Sequence, residues 1–303
     1  MYLLVAAVLF VQQAFASTGD RLGEFKSCLE ACCATCPHDL GLLPLLLWTC
    51  ESDCDYQCQQ SLTAEHFVSK ARIHQYHGKW PFVRMYGVQE PASVVFSLLN
   101  FWANYKGLGL IQHLQGGMAF YYKTFAFVGM NTWIWSSVFH TRDFVLTERL
   151  DYFSAIASIM YGLFLVTVKV FRLYEPKYTT YRIVLAAIIL AFYIYHISYL
   201  SFVRFDYGYN MLVGVVVGLS QNLLWVANSV REYSYSKNKM DLLPVLLVVG
   251  LFMGMSLELF DFAPMWLVFD AHSLWHAATV LPTYFWYYYM AYDLSKKSPK
   301  KVN

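Results

Sequence analysis

Seven apolar segments, each near the length of about 20 residues that crosses a bilayer, constrain this chain more than any other feature of its sequence. Inside the hydrocarbon layer a backbone must satisfy its own hydrogen bonds, which favours helices. The pattern therefore predicts an all-α fold, a seven-transmembrane helix bundle over residues 90–292. The segments cover residues 92–110, 121–140, 151–170, 182–200, 209–226, 242–259 and 272–290.

The composition supports a membrane protein. Of the 303 residues, 58% are hydrophobic and 14% are charged, and the mean hydropathy is +0.40. In a soluble domain about a quarter of the residues are charged, so the class of soluble globular proteins is excluded. The formal net charge of +2 gives no reason to expect a nucleic-acid partner. Membrane lipid is the expected surrounding, and the oligomeric state is left open.

The start of the chain predicts its orientation. Residues 1–16 look like a secretory signal peptide, because a short apolar core precedes a small-x-small cleavage site at Ala14 and Ala16. The polar region 17–89 would then be lumenal, and seven crossings would leave the basic tail 293–303 in the cytosol. Thirteen Lys and Arg residues fall at the expected cytosolic ends of the helices, against three at the lumenal ends after the first helix. This bias agrees with the positive-inside rule.

All seven cysteines lie between residues 28 and 58. Such clustering is typical of a small disulfide-rich module in an oxidising compartment, and a zinc cluster is the alternative. Six of the cysteines form two triples with a spacing of four residues, and on a helix each triple would form one stripe. Pro37 and Pro44 separate the triples and favour a turn between two helices. The predicted pairs of this helical hairpin are Cys28–Cys58, Cys32–Cys54 and Cys36–Cys50. Cys33 lies off the stripe and would be unpaired or bonded to another molecule.

Five polar residues converge on the predicted lumenal ends of three segments. Ser136 and His140 are four residues apart at the end of the second segment, and Asp151 begins the third. His272 and His276 open the seventh segment and share a face of its helix. Ionisable groups inside a membrane are usually functional, although two interfacial histidines could also bond to headgroups or backbone.

These residue types suit a catalytic zinc site. Three neutral imidazoles, here His140, His272 and His276, leave a fourth zinc position open for reaction. Asp151 would accept or orient the proton of the attacking water, and the Ser136 hydroxyl would donate to the developing oxyanion. Alternatively, Ser136 bonds to its own helix backbone and Asp151 caps a helix. The Gly-x-Ser-x-Gly motif of serine hydrolases is absent from the sequence.

The order of these motifs resembles the CREST superfamily of seven-helix membrane hydrolases. A Ser-x-x-x-His, an Asp eleven residues after that His, and a later His-x-x-x-His carry the resemblance. Within the superfamily, the chain is most similar to the post-GPI attachment to proteins factor 3 (Per1-like) family. The stretches that carry this closer similarity are residues 48–50, 77–82, 89–93, 136–143, 204–210, 257–262 and 270–272.

The resemblance implies a zinc-dependent, GPI-specific phospholipase that removes the sn-2 acyl chain from the lipid of GPI-anchored proteins. It gives His140, His272 and His276 as Zn²⁺ ligands, Asp151 as the partner of the water, and Ser136 as the oxyanion donor. It also implies supporting roles behind the ligands for Glu90 and Asn100. The expected location is the Golgi membrane, with the endoplasmic reticulum as the alternative.

Two other functions are compatible with the same metal ligands. A ceramidase-like amidase would keep the chemistry and change the substrate, but a bare lipid gives less reason for a lumenal cysteine-rich head. A seven-helix receptor or cation-homeostasis factor would hold zinc for structure only. An open fourth zinc position favours hydrolysis over a structural role.

Overall fold

Nine α-helices account for most of the residues that the structure describes. The computed structural model describes residues 17–36, 39–258 and 261–296, and this part of the chain contains no β-strand. The predicted signal peptide lies outside the described residues. The helices are α1 (Gly23–Thr35), α2 (Cys50–Val68), α3 (Pro91–Ile111), α4 (Ala119–Thr141), α5 (Val145–Val170), α6 (Thr179–Ser198), α7 (Tyr207–Ser236), α8 (Leu243–Glu258) and α9 (Ala271–Lys296). Short helical turns lie at Gly19–Arg21, Leu43–Leu46, Pro176–Tyr178, Tyr199–Val203 and Lys239–Leu242.

Helices α1 and α2 form a disulfide-bonded hairpin, called the head below. Its disulfides are Cys28–Cys58, Cys32–Cys54 and Cys36–Cys50, the nested order that the spacing predicts. The paired Cα atoms are 5.7–5.9 Å apart, within the usual range for disulfides. Cys33 is unpaired. The zinc-cluster alternative is therefore wrong for these six cysteines, because no thiolate is left to bind a metal.

The head has a small apolar core, so its disulfides should contribute much of its stability. The buried hydrophobic cluster consists of Phe25, Cys58, Leu62 and Tyr76. We expect the double substitution Cys32→Ser with Cys54→Ser to lower the free energy of unfolding of the head by about 2–5 kcal/mol. Limited proteolysis in urea and non-reducing peptide mapping would measure this loss and the two remaining bridges.

The neighbouring residue offers a matched control for this experiment. Cys33→Ser should change the stability by less than about 0.5 kcal/mol, because Cys33 closes no loop. Cys33 recovered in an intrachain bridge, or a double variant as resistant as the wild type, would contradict the nested pairing.

Each of the seven predicted apolar segments overlaps one of the helices α3–α9. Four of these regions are long and apolar enough to cross a membrane, so the chain is a membrane protein. The remaining three helices, α3, α4 and α9, are not among these candidate spans. The count of seven crossings therefore stays a prediction. The four candidate spans are Val145–Val170, Pro176–Val203, Tyr207–Ser236 and Lys239–Leu257.

Helices α3, α4 and α9 pack closely because small and polar residues meet at their interfaces. Gly129 of α4 lies against Asn104 of α3, and Gly107 of α3 lies against the ring of Tyr287. A Cβ atom on either glycine would overlap its neighbour, so both positions require glycine. The Tyr287 hydroxyl donates to Asn104 Oδ1 at 2.7 Å. The polar residues that hold these three helices together also lower the mean hydropathy of the helices. This explains why the helices are not among the candidate spans.

A buried ion pair joins the far ends of α5 and α9. Lys169 Nζ lies 2.7 Å from Asp293 Oδ1, and the Tyr122 hydroxyl of α4 donates to Asp293 Oδ2 at 2.7 Å. Asp293 is buried, and α9 continues to Lys296. The first residues of the predicted tail are thus a continuation of the last helix.

The head docks on the opposite end of the bundle, called the head side below. Two guanidinium groups contact the Trp48 ring, with Arg84 Cζ at 4.3 Å and Arg142 Cζ at 4.0 Å from its centroid. Trp48 Nε1 donates to the Gly87 carbonyl at 2.8 Å, and Val83 N donates to Leu267 O at 2.8 Å. These contacts bring the head over the start of α3, the end of α4 and the segment before α9.

Candidate metal centre

Three histidines from two helices converge at the head side of the bundle. One ligand atom from each of His140, His272 and His276 lies within 4.8 Å of the others. Their ring centroids are 4.5–5.2 Å apart. His140 and His276 are buried, whereas His272 is partly exposed. The cluster is therefore largely buried, and His272 is its most exposed member.

Local hydrogen bonds fix the helix ends that carry these histidines. Asp270 Oδ1 accepts from Ser273 N at 2.8 Å, and Ser273 Oγ accepts from Asp270 N at 3.0 Å. This reciprocal capping sets the start of α9, and His272 and His276 follow within its first two turns. At the end of α4, the carbonyl of His140 accepts from Glu90 N at 3.0 Å. The start of α3 thereby satisfies a terminal carbonyl of α4 and is held beside His140.

The nitrogen atoms of His140 have the arrangement expected for a metal ligand. Its Nδ1 lies 2.8 Å from Glu90 Oε2, and its buried Nε2 has no hydrogen-bond partner among the described residues. A carboxylate that accepts from Nδ1–H fixes the tautomer and directs the Nε2 lone pair towards a metal. The donor set of three imidazoles matches the preference of Zn²⁺. These residues fit a zinc ion.

A buried ion pair keeps Glu90 ionised. Lys79 Nζ lies 2.7 Å from Glu90 Oε1 and 2.8 Å from Asp143 Oδ2. Burial alone would raise the pKa of Glu90, but the charge of Lys79 and the hydrogen bonds from Lys79 and His140 outweigh it and hold that pKa well below its usual range. Burial alone would lower the pKa of Lys79, but the two carboxylates hold it well above its usual range. Glu90 is therefore a permanent acceptor for His140.

Ser136 belongs to a chain of hydrogen bonds that ends at His276. Ser97 Oγ lies 3.0 Å from His276 Nδ1 and 3.0 Å from Ser136 Oγ. Ser136 and Ser97 are buried, and the Trp133 ring packs edge-on against His276 with the centroids 5.2 Å apart. The hydrogen bond found for Ser136 is with another side chain. The alternative in which Ser136 bonds to its own helix backbone is not what the structure contains.

Asn100 supports the backbone of α9 beside the histidines. Its Nδ2 donates to the carbonyl of His276 at 2.8 Å, and its Oδ1 accepts from Thr279 Oγ1 at 3.2 Å. Both contacts place Asn100 directly behind His276, so it contributes to the position of that imidazole.

Asp151 lies near the histidines without being part of their cluster. Helix α5 begins at Val145 and is capped by Phe144 and Thr147, so the alternative in which Asp151 caps this helix is wrong. The carboxylate interacts electrostatically with His140 and His272. It is not among the groups whose ligand atoms lie within 4.8 Å of one another. Asp151 can therefore act next to a metal that the three histidines hold.

Comparisons with known proteins identify the family of the chain. The profile of the Per1-like family matches residues 42–294. The chain belongs to the Per1-like family. It is 40% identical to Protein PER1 homolog of Schizosaccharomyces pombe, over 98% of this chain and 94% of that protein.

Animal members of the Per1-like family are similar over nearly the same length. The chain is 37% identical to GPI-specific phospholipase A2-like PGAP3 of Cricetulus griseus, over 91% of this chain and 89% of that protein. It is 36% identical to Post-GPI attachment to proteins factor 3 of Drosophila melanogaster, over 89% and 87%. No solved structure gives a significant match.

Sequence reasoning missed two residues at the centre of this Per1-like protein, Ser97 and Lys79. A signal for Ser97 was present, because Ser93, Ser97, Asn100 and Asn104 recur every three or four residues in an apolar segment and are all buried. Such a polar stripe on one helix face marks the side that faces other polar groups. Lys79 has no comparable signal, because its partner Glu90 is reached through a turn and not along a helix.

Proposed function

We propose that this chain is a zinc-dependent hydrolase that removes the sn-2 acyl chain from the lipid of GPI-anchored proteins. The observation that carries the proposal is the cluster of His140, His272 and His276, with the unpartnered Nε2 of His140 inside it. The names of the relatives supply the substrate and the bond, because several are called GPI-specific phospholipase A2-like. His272 is the partly exposed ligand, so we take its side as the approach of the ester.

When bound, zinc would lower the pKa of a water molecule and polarise the ester carbonyl. His140, His272 and His276 would hold it, with Glu90 and Asn100 behind two of them. Asp151 accepts the proton of the attacking water, since its carboxylate lies close to this cluster without joining it. Water adds to the acyl carbon and the ester C–O bond breaks, with the proton on Asp151 passing to the leaving glycerol oxygen. The products are a free fatty acid and a lysolipid.

The serine chain prepares a donor for the oxyanion. With Nε2 of His276 reserved for the metal, the imidazole proton would lie on Nδ1 and would donate to Ser97 Oγ. Ser97 can in turn donate its proton to Ser136 Oγ. The proton of Ser136 is then left for the negative charge that develops on the carbonyl oxygen. The tautomer of His276 would thereby favour one orientation of the Ser136 hydroxyl.

The disulfides and the charge distribution support a lumenal position of the head side. Three disulfides require an oxidising compartment, and the basic residues concentrate at the other end of the helices. The site would then face the lumenal leaflet of the Golgi membrane, where anchored proteins present their lipid, with the C-terminus in the cytosol. Residence in the endoplasmic reticulum keeps the same orientation.

The purified protein allows a direct test with alternative substrates. In detergent, the wild type should bind about one zinc per chain and release the sn-2 fatty acid from a GPI lipid, leaving the lysolipid. Ceramide should be cleaved poorly, because it is an amide and lacks the headgroup. Mass spectrometry of the products and metal analysis are the measurements.

Each alternative has its own outcome in this experiment. Faster release from ceramide would favour the amidase, and bound zinc without hydrolysis of either lipid would favour a structural metal in a receptor. Retention of an unsaturated sn-2 chain on anchored proteins in cells lacking the protein would support the substrate independently.

A further inference from the structure

A cleft of about 110 Å³ separates the head from the candidate metal centre. One wall comes from the head, with Trp48, Asp55 and Tyr56. The other wall includes Glu90 and Arg142, which lie at the start of α3 and just after α4. A water molecule needs about 10–15 Å³ of such space, so the cleft is large enough for a small polar ligand.

The charged groups of the cleft are paired, with one exception. Asp55 Oδ1 lies 2.9 Å from His77 Nε2, and Lys79 contacts both Glu90 and Asp143. For Arg142, no carboxylate of the described residues lies within 4.0 Å of the guanidinium nitrogens. Its contact is with an amide: its Nη1 donates to Gln89 Oε1 at 3.2 Å. Arg142 is thus the cation of the cleft that has capacity for an added anion.

Stacking holds this guanidinium in a fixed orientation. Arg142 Cζ lies 4.0 Å from the Trp48 centroid and 4.7 Å from that of Phe144. Its Nε is buried and has no hydrogen-bond partner among the described residues. Among the described residues, the hydrogen bond found for the guanidinium is that of Nη1 with Gln89, so the remaining Nη donors can match the oxygen atoms of a phosphate. The ring contacts already restrict the side chain, so binding costs little side-chain entropy.

The rest of the lining suits hydroxyl groups. Trp48, Tyr56 and Trp80 contribute flat aromatic surfaces, and Gln59 and Gln89 contribute amides. Aromatic surfaces beside a few oriented polar groups are typical of sites that bind small polar molecules. The carboxylates can accept from the hydroxyls of a polyol, and the amides can accept from or donate to them. The cleft therefore combines a phosphate contact with a surface for a polyol.

The cleft and the metal centre share Glu90. This residue lines the cleft and also contacts His140 Nδ1 at 2.8 Å. In a glycerophospholipid the sn-2 ester and the phosphate lie on neighbouring carbons of the glycerol, so an ester at the metal places the phosphate nearby. We propose that this cleft binds the phosphorylated polyol headgroup of the lipid, with Arg142 on the phosphate and the aromatic wall against the polyol. The proposal rests on the proposed function for its ligand.

Binding to the full-length protein in detergent tests the cleft without any catalysis. The probes are myo-inositol 1-phosphate, myo-inositol and inorganic phosphate, and the signal is isothermal titration calorimetry. We expect inositol 1-phosphate to bind, with both other probes at least about 10-fold weaker, since each lacks one set of contacts. Equal affinity for inorganic phosphate would overturn the polyol contact, and no binding of inositol 1-phosphate would overturn the proposal.

Three variants distinguish the contribution of the Arg142 guanidinium from that of positive charge alone. Arg142→Gln should weaken inositol 1-phosphate about 10- to 100-fold, because a charge-assisted hydrogen bond is lost. Arg142→Lys keeps the charge without the planar guanidinium, so its affinity for inositol 1-phosphate should lie between those of the wild type and Arg142→Gln. If the Gln variant does not fold, the Lys variant is compared with the wild type instead. The control is Arg204→Gln, which removes an exposed arginine outside the cleft and should bind like the wild type.

Kinetics then distinguish failure of the cleft from failure of the proposed function. On a GPI lipid, Arg142→Gln should raise KM about 10-fold or more and change kcat much less. Wild-type hydrolysis with an unchanged KM in the variant would overturn the cleft and leave the proposed function intact. Binding of inositol 1-phosphate without hydrolysis by the wild type would overturn the proposed function and support the cleft.

Discussion

His272→Ala should remove both the bound zinc and the hydrolysis of the GPI lipid. Loss of one ligand from a three-histidine site is expected to weaken metal binding by more than about 100-fold, since even changes behind the ligands cost 10- to 100-fold. His272 is partly exposed, so its removal leaves a smaller cavity than removal of buried His140 or His276. Zinc content by elemental analysis and fatty-acid release are the measurements.

The control is a histidine buried elsewhere in the bundle. His196 is fully buried in α6, and its Nε2 lies 3.1 Å from Asn210 Oδ1, away from the cluster. The His196→Ala variant should keep its zinc, even where the substitution lowers the stability of the bundle. Added zinc should restore activity to chelated wild type and not to His272→Ala. Wild-type remodelling by the His272 variant would show that the assignment of ligands is wrong.

The head was predictable because its constraint is local. Cysteines spaced by four residues align on one helix, and a short turn leaves few ways for two such stripes to meet. Positions four residues apart likewise put His272 and His276 on one face. Helix ends were less predictable. Helix α5 begins at Val145 instead of Asp151, because the polar residues before Asp151 can also be helical where the chain lies outside the apolar layer.

The surroundings of the metal centre could not be read from the sequence. Ser97 and His276 are 179 residues apart in the chain and lie on different helices. No local pattern specifies which serine meets which imidazole. The contacts of Trp48 with Arg84 and Arg142 could not be predicted either, since they depend on how the head docks. Spacing predicts which residues share a face, whereas docking decides what that face contacts.

Asp151→Asn should keep the zinc and lose most of the activity. The substitution preserves the size of the side chain, but an amide cannot accept the proton of the attacking water. General-base catalysis contributes about 10²- to 10⁴-fold, so a fall in kcat of that size is expected. Because Asp151 lies outside the ligand cluster, zinc content should match that of the wild type.

Glu148→Gln provides the matched control for Asp151→Asn. Glu148 lies one turn earlier on α5 and interacts electrostatically with Asp151, so its substitution removes a carboxylate from the same helix end without removing the proposed base. Its kcat should stay within a few-fold of the wild type, since most substitutions away from the reacting atoms act through stability. Loss of zinc from Asp151→Asn would make Asp151 a metal ligand, and an unchanged kcat would exclude it as the base. Equal losses in both variants would assign the effect to the charge of this helix end, because only proton transfer distinguishes the two carboxylates.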